Sequence, residues 1–317
     1  MIGTRGISIK MPGHSYSGAL PSLTVEELEI EYRLKKHVEK LAGEIGERNL
    51  REYNNLEAAI GYIEKIFREL NYNVSFQDFV VKGKIAKNIE VEILGKSHPD
   101  EIIILGAHYD SVIDCPGAND NATGVAAILE FARLLKGGNL QRTVRSVAFV
   151  NEEPPFFQTE NMGSLVYARR ANKRREKIVA MFSIETIGYY SDAKGSQRYP
   201  FPFSFFYPNT GNFIGFVGNT SSRSLVHETI ASFRKNIHFP SEGVAAPGWM
   251  TGIGWSDQWS FWKEGYPAIM ITDTALFRYP YYHTQWDTPD NIDYNRMARV
   301  VAGLKQVVIE LASTDKK

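Results

Sequence analysis

The chain has 317 residues, 36 basic and 36 acidic side chains, a formal net charge of zero and 43% hydrophobic residues. These are globular proportions, so wholesale disorder is excluded, and a chain without a net field is a poor partner for a polyanion such as nucleic acid. No run of ~18 uncharged apolar residues offers a membrane span, and the single cysteine, Cys115, excludes an intramolecular disulfide and any multi-cysteine zinc site.

Residues 1–23 are rich in Gly, Ser and Pro without periodicity and are expected to form an arm over the surface. Met1-Ile-Gly-Thr-Arg-Gly-Ile lacks the long apolar core of a secretory signal. That start and the lone cysteine fit a cytoplasmic protein, and equally an exported or membrane-anchored one whose leader is absent from this sequence. Thr24, with Glu27 three residues on, is a capping-box signal. The helix it opens is expected to bury Leu28, Tyr32, Lys35, Val38 and Leu41. A second helix is marked by Leu56, Ile60, Ile63, Phe67 and Leu70, spaced by three and four. Strands are expected at 74–81 and 89–94.

From there strands and helices alternate. Residues 101–106 are almost wholly apolar, as a strand buried on both faces should be. A helix over 122–135, a strand over 144–151, a helix over 164–176 and a strand over 178–184 follow. Beyond them come a strand (213–217), a helix (222–233), a strand (268–272) and a final helix with the stripe Met297, Val300, Val301, Leu304, Val307, Val308 and Leu311. The pattern predicts a single α/β domain over 1–317. It has three layers, α/β/α, around a mixed, largely parallel sheet. Residues 189–216 hold ten aromatics. They read as a hydrophobic cluster under a long loop or as a wall over an apolar pocket, and 189–255 as an aromatic-rich lid or insertion over the site.

Open α/β sheets bind ligands beyond the carboxyl ends of their strands. There the sequence places His108-Tyr109-Asp110, Asn151-Glu152-Glu153 and Glu185. Asp120 opens the helix after His108, and His283 and Asp287 lie near the end. Taken singly, each has an ordinary alternative: His108 a core histidine, Asp120 a helix cap, Glu152-Glu153 a solvated pair, His283 a loop residue. Together they imply a cation, because carboxylates converging after buried strands repel one another unless one holds them. Imidazole and carboxylate without thiolate fit zinc. Asp110, on the same side of an extended segment as His108, is expected to accept the proton of the other ring nitrogen. Glu152, a carboxylate with no need to be a ligand, is the natural general base.

The order H-Y-D-S, G-A-N-D-N-A-T-G, N-E-E, I-E-T-I-G, S-D and Y-H-T-x-x-D-T, from about Ala86 onward, resembles the co-catalytic zinc aminopeptidases. More distantly it is similar to glutamate carboxypeptidases and glutaminyl cyclases. The resemblance implies a zinc exopeptidase-like fold and two zinc ions per chain. His108 and Glu185 would hold one, Glu153 and His283 the other, and Asp120 both. It further implies Glu152 as proton shuttle, a cis peptide at Asp120–Asn121, and Tyr282 as donor to the oxyanion. Three positions depart from the pattern: Glu185 replaces a frequent aspartate, Gln258 a frequent histidine and Ile253 a tyrosine of one branch.

The expected function is hydrolysis of the N-terminal peptide bond of a peptide substrate. Phe156, Phe157 and the aromatics after Tyr189 are expected to form an apolar first pocket for Leu, Phe or Met. A cyclase-like or carboxypeptidase-like relative is the alternative, the latter needing carboxylate-reading arginines from among Arg169, Arg170 and Arg278. A catalytically inactive binding module on the same fold would instead have lost its ligands.

Overall fold

The structure, a computed structural model, describes residues 6–313, so positions 1–5 of the expected arm lie outside the described residues. Helix α1 (Val25–Val38) starts with the foreseen box: Thr24 Oγ1 accepts from Glu27 N–H at 3.2 Å, and Glu27 Oε2 accepts from Thr24 N–H at 2.7 Å. Its buried stripe matches the expected one only at Val38 and Leu41. Ile30, Leu34, Val38 and Leu41 face the core, while Leu28 and Tyr32 are 51% and 61% exposed. The expected stripe contained Lys35, whose ammonium has no reason to enter an apolar layer. Helix α2 (Tyr53–Glu69) buries Leu56, Ile60, Ile63 and Phe67 as its periodicity dictates.

Strands β1 (Ser75–Val81), β2 (Lys84–Ile93) and β3 (His98–His108) lead through α3 (Thr123–Leu135), β4 (Arg142–Phe149) and α4 (Gly163–Lys173) to β5 (Lys177–Glu185). Then come β6 (Ile214–Asn219), α5 (Arg223–Asn236), β7 (Ser241–Ala246), α6 (Gln258–Lys263), β8 (Ala268–Thr272), α7 (Ala275–Arg278) and α8 (Tyr294–Ser313). They form one eight-stranded sheet in the order β1-β2-β4-β3-β5-β8-β6-β7. The central β4-β3-β5-β8 strands are parallel, and antiparallel pairs flank them. Strand β3 alternates as a doubly covered strand must. Ile103, Leu105 and Ala107 join the large core with α1, α2, α3, α5 and α8, and Ile102 and Ile104 join the core under α4 and α6. The three-layer α/β/α reading therefore holds.

Two consequences bear on the site. The chain leaves β3 toward β4 on one side and returns to β5 on the other, so the strand ends splay around the end of β3, where a crevice must form. The stretch 189–255, expected as a lid or insertion, contributes β6, α5 and β7 to the sheet layers themselves. The arm runs along the outer strand: Ser8 and Ala245 exchange backbone hydrogen bonds at 2.7 and 3.0 Å, and Ser15 Oγ accepts from Ser241 N–H at 2.9 Å. Among the described residues no helix is long and apolar enough to cross a membrane.

Candidate metal centre

Strand β3 ends at His108, β5 at Glu185, and the chain turns sharply after β4 into Glu152 and Glu153. Backbone in the left-handed region brackets these groups: Asn151 (φ 60°) precedes Glu152, Thr186 (φ 48°) follows Glu185, and His283 itself has φ 57°. Asn and His tolerate this region, whereas for β-branched Thr186 it is unfavourable and persists where the surroundings impose it.

The segment before α3 shows why its sequence is N-D-N-A-T-G. Gly117 (φ +63°) makes the turn, and a Cβ there would lie 2.4 Å from the Asp120 carbonyl oxygen. The Asn121 amide donates to Ile184 O at 2.8 Å and accepts from Gly124 N–H at 3.0 Å and Thr186 N–H at 3.1 Å. The helix start is thus secured by Asn121, which leaves the Asp120 carboxylate free of the capping role. Gly124 lets α3 approach β5, since a Cβ would meet Ile184 O at 2.3 Å. Asn119 donates to Asp273 Oδ2 at 2.9 Å and accepts from Gly188 N–H at 2.9 Å. The Asp120–Asn121 peptide is cis, as the resemblance implied.

The structure brings all five expected ligands together. His108 Nε2 lies 3.2 Å from Asp120 Oδ1 and 3.2 Å from Glu185 Oε2. His283 Nε2 lies 3.1 Å from Asp120 Oδ2 and 3.2 Å from Glu153 Oε2. Two triads therefore share Asp120, one oxygen each, and each triad's donor atoms fall within 4.8 Å of one another. Glu152 Oε2 stands 3.7 Å from His108 Nε2.

Four buried atoms of the cluster, His108 Nε2, His283 Nε2, Asp120 Oδ1 and Glu153 Oε1, make no hydrogen bond with the described residues. Orphaned polar atoms of this kind cost free energy unless something else satisfies them. The titration behaviour agrees. Burial, with Asp120 beside it, pushes the Glu153 carboxyl up to about 8. Burial opposes a charge on His283, yet the Asp120 and Glu153 carboxylates at 3.1 and 3.2 Å overcome that and lift it to about 10. Burial and the neighbouring Glu185, Glu153 and Asp257 also hold Glu152 well above the usual carboxylate range, against the pull of His108. Imidazole nitrogens and carboxylate oxygens crowded at this spacing match zinc, and divalent charge relieves both the repulsion and the orphaned atoms.

Asp110 acts differently from expectation. The carbonyl of Asp110, 3.0 Å away, is the hydrogen-bond partner of His108 Nδ1, and its carboxylate is 3.6 Å from that nitrogen. The carboxylate accepts instead from Glu152 N–H at 3.2 Å and Glu153 N–H at 3.0 Å, and so fixes the turn that presents both glutamates.

Several supporting residues carried no assigned role in the sequence. Asp287 accepts from Asn119 N–H at 2.7 Å, Asp120 N–H at 3.1 Å and the Tyr279 hydroxyl at 2.9 Å. Its position in the Y-H-T-x-x-D-T block was the available signal. Ser256 donates to Glu185 Oε2 at 2.5 Å. Fully buried Arg48 donates to the carbonyls of Leu41, Gly46, Tyr109, Pro116 and Gly117, and nothing in its sequence surroundings marks it. Gln258, in place of the frequent histidine, donates to Ile253 O at 3.0 Å, while its Oε1 finds no partner among the described residues.

Tyr282 stacks on the His283 ring at 3.9 Å between centroids. Burial first, then the site carboxylates, raises its phenol well above the ordinary range and so keeps it a donor. With Glu185, Tyr282 lines an apolar pocket walled by Phe203, Phe213, Ile253 and Met270. The aromatics after Tyr189 thus form a pocket wall, continuous with an apolar cluster of Phe203, Val217, Val244 and Ile253. Phe156 does not contribute. It lines a second cleft, with Glu153 and Asp110. The arginines face elsewhere: Arg278 donates to Gln197 Oε1 and Phe213 O, Arg169 pairs with Glu160, and Arg170 covers Tyr167.

The sequence profile of Peptidase family M28 matches residues 88–308. Uncharacterized protein YfbL of Escherichia coli is 38% identical over 281 residues, 86% of this chain and 85% of that protein. Aminopeptidase YwaD of Bacillus subtilis is 28% identical over 231 residues, 69% of this chain and 43% of its own length. Among solved structures, a zinc aminopeptidase from Bacillus subtilis superposes with a TM-score of 0.72 at 16% identity, covering 94% of this chain and 97% of that one. A glutaminyl cyclase from Fimbriiglobus ruber gives a TM-score of 0.65 at 19% identity, covering 92% and 97%. The fold is common to both. With a profile match over most of its length and the ligand cluster assembled at the strand ends, the chain belongs to Peptidase family M28.

Proposed function

We propose that this peptidase is an aminopeptidase that holds two zinc ions and releases apolar N-terminal residues from peptides. The observation that carries the reading is the division of Asp120 between two triads, His108/Glu185 on one oxygen and His283/Glu153 on the other. When bound, zinc at such a site supplies an acidified water and a polarised carbonyl. The chain's own groups do the rest. Glu152, buried beside His108 and not needed as a ligand, takes the proton of the attacking water and passes it to the departing amine. The Tyr282 hydroxyl donates to the oxygen of the scissile carbonyl as charge develops there. Asp110 keeps Glu152 and Glu153 in place through their backbone N–H groups. The pocket beside Glu185 and Tyr282 receives the first side chain, and its Phe203, Phe213, Ile253 and Met270 walls favour Leu, Phe or Met.

The test is Glu152→Gln. Zinc content should stay near two per chain while kcat on leucyl-4-nitroanilide falls by about 100-fold or more. Wild-type turnover in this variant refutes the role of Glu152, and one zinc per wild-type chain refutes the paired site. Conversion of N-terminal glutamine to a cyclised product, with no aminoacyl hydrolysis, would assign the protein to the cyclases.

A further inference from the structure

If the first side chain of the substrate enters the pocket beside Glu185 and Tyr282, the rest of the peptide leaves on the far side of the metal ligands. The second cleft reaches Glu153, a ligand of the other triad, and Asp110, and is bounded by the β1–β2 turn. Its acidic groups are already engaged: Glu153 faces His283, and Asp110 accepts the two backbone N–H bonds. The remaining charges are cationic. Lys84 is committed, donating to Leu50 O at 2.7 Å over the Tyr53 ring, and Arg51 pairs with Asp114 at 3.3 Å.

Lys82 is different. It occupies the tip of the β1–β2 turn with φ 49°, so its side chain starts from a fixed point of the cleft wall. Its ammonium lies 5.3 Å from the centre of the Phe156 ring and has no carboxylate partner among the described residues. Phe156 is joined to Glu153 by one turn, Phe156 N–H donating to Glu153 O at 3.0 Å. A metal ligand, an aromatic shelf and an uncompensated cation therefore follow one another along the leaving-group side. An ammonium in that place attracts an anion, and the anion every short peptide carries is its terminal carboxylate.

We infer that this cleft reads the C-terminal carboxylate of short peptides through Lys82, which makes free oligopeptides the preferred substrate class. The inference rests on the aminopeptidase reading above. It is tested with zinc-loaded full chain on Leu-Gly, Leu-Gly-Gly and Leu-Gly-Gly-Gly, each as free acid and as amide, with leucyl-4-nitroanilide as the substrate that carries no carboxylate. At the length that spans the cleft, the acid should have a KM about ten-fold below its amide, about 1.4 kcal/mol. Added salt should narrow that gap. Lys82→Ala should abolish it, Lys82→Glu should reverse it and Lys82→Arg should retain it, all without changing nitroanilide turnover. Equal KM values for acid and amide at every length in the wild type, or a gap that survives in Lys82→Glu, overturns the inference. An inert nitroanilide in the wild type defeats the aminopeptidase reading instead. The cleft is then read by calorimetric titration of glycylglycine against glycylglycinamide: a preference for the acid that Lys82→Glu removes supports it, and equal binding overturns it.

Discussion

Replacing Asp287 by alanine isolates a residue that touches neither the expected ions nor the substrate pocket. Its two oxygens accept the N–H groups of Asn119 and Asp120 and the hydroxyl of Tyr279, all buried. Removal leaves three donors without partners, at ~1–3 kcal/mol each, or roughly 3–9 kcal/mol gross. Part of this is offset, because burial opposes the charge of Asp287 itself and lifts its carboxyl to about 7. A net loss of about 3 kcal/mol is the expectation. Both triads depend on where Asp120 points, so zinc affinity should fall together with stability, by ~10–100-fold as for other groups that orient ligands. Urea unfolding measures the first quantity and competition with a chromophoric chelator the second, with exposed Asp290→Ala as the control. An Asp287→Ala protein that binds zinc within two-fold of wild type would show that the 117–122 segment holds its shape without this carboxylate, and would refute the reasoning.

Chelation should destabilise the wild type by about 4 kcal/mol relative to protein at free zinc ~1,000-fold above Kd, because the metal binds only the folded cluster; an unchanged Tm after dialysis against chelator would contradict this. Arg48→Met should cost more than ~4 kcal/mol, since it strips the common donor from five carbonyls around the site, and Arg48→Lys should recover only part of that loss in urea. At the opposite end of β3, bonds from Lys177 and Arg142 hold the Glu101 carboxyl down at about 2. A depressed folded value means the stabilisation is present above the unfolded value near 4.5 and is lost as pH falls through about 2. Glu101→Gln should therefore cost about 1 kcal/mol near neutrality, after allowance for solvent screening, and progressively less below pH ~4.5; a difference that grows on acidification would show the sign to be wrong.

The central strands and the ligand set were legible because both follow from patterns with few alternatives. An uninterrupted run such as Ile102–Leu105 fits a strand covered on two faces, and His108 and Glu185 end their strands, Glu153 follows β4 and His283 lies in a turn. The misreadings came where two patterns competed or none existed. Helix α1 offers two apolar stripes at helical spacing, and only the packing of α3 and α8 decides between Leu34 and Tyr32. Strand β7, Ser-Glu-Gly-Val-Ala-Ala, is made of small residues with weak strand preference and exists because β6 supplies its ladder. The role of Asp110 turned on whether its carbonyl or its carboxylate reaches His108 Nδ1. That is a matter of local backbone course which residue identity does not encode. Arg48 is recognisable only when the carbonyls from distant parts of the chain are seen around it.

The sheet ends in a strand whose outer rim is a row of amides and carbonyls, the kind of surface on which one molecule can template another. Here the Ser8–Ala245 bridge and the Ser15 bond occupy that rim with the protein's own leading segment. Displacing residues 6–15 would bare a growth face without touching the chemistry. Colloidal behaviour and turnover should therefore depend on different stretches of this polypeptide, and a shortened variant that clumps while each molecule still cleaves its substrate would be the signature of that separation.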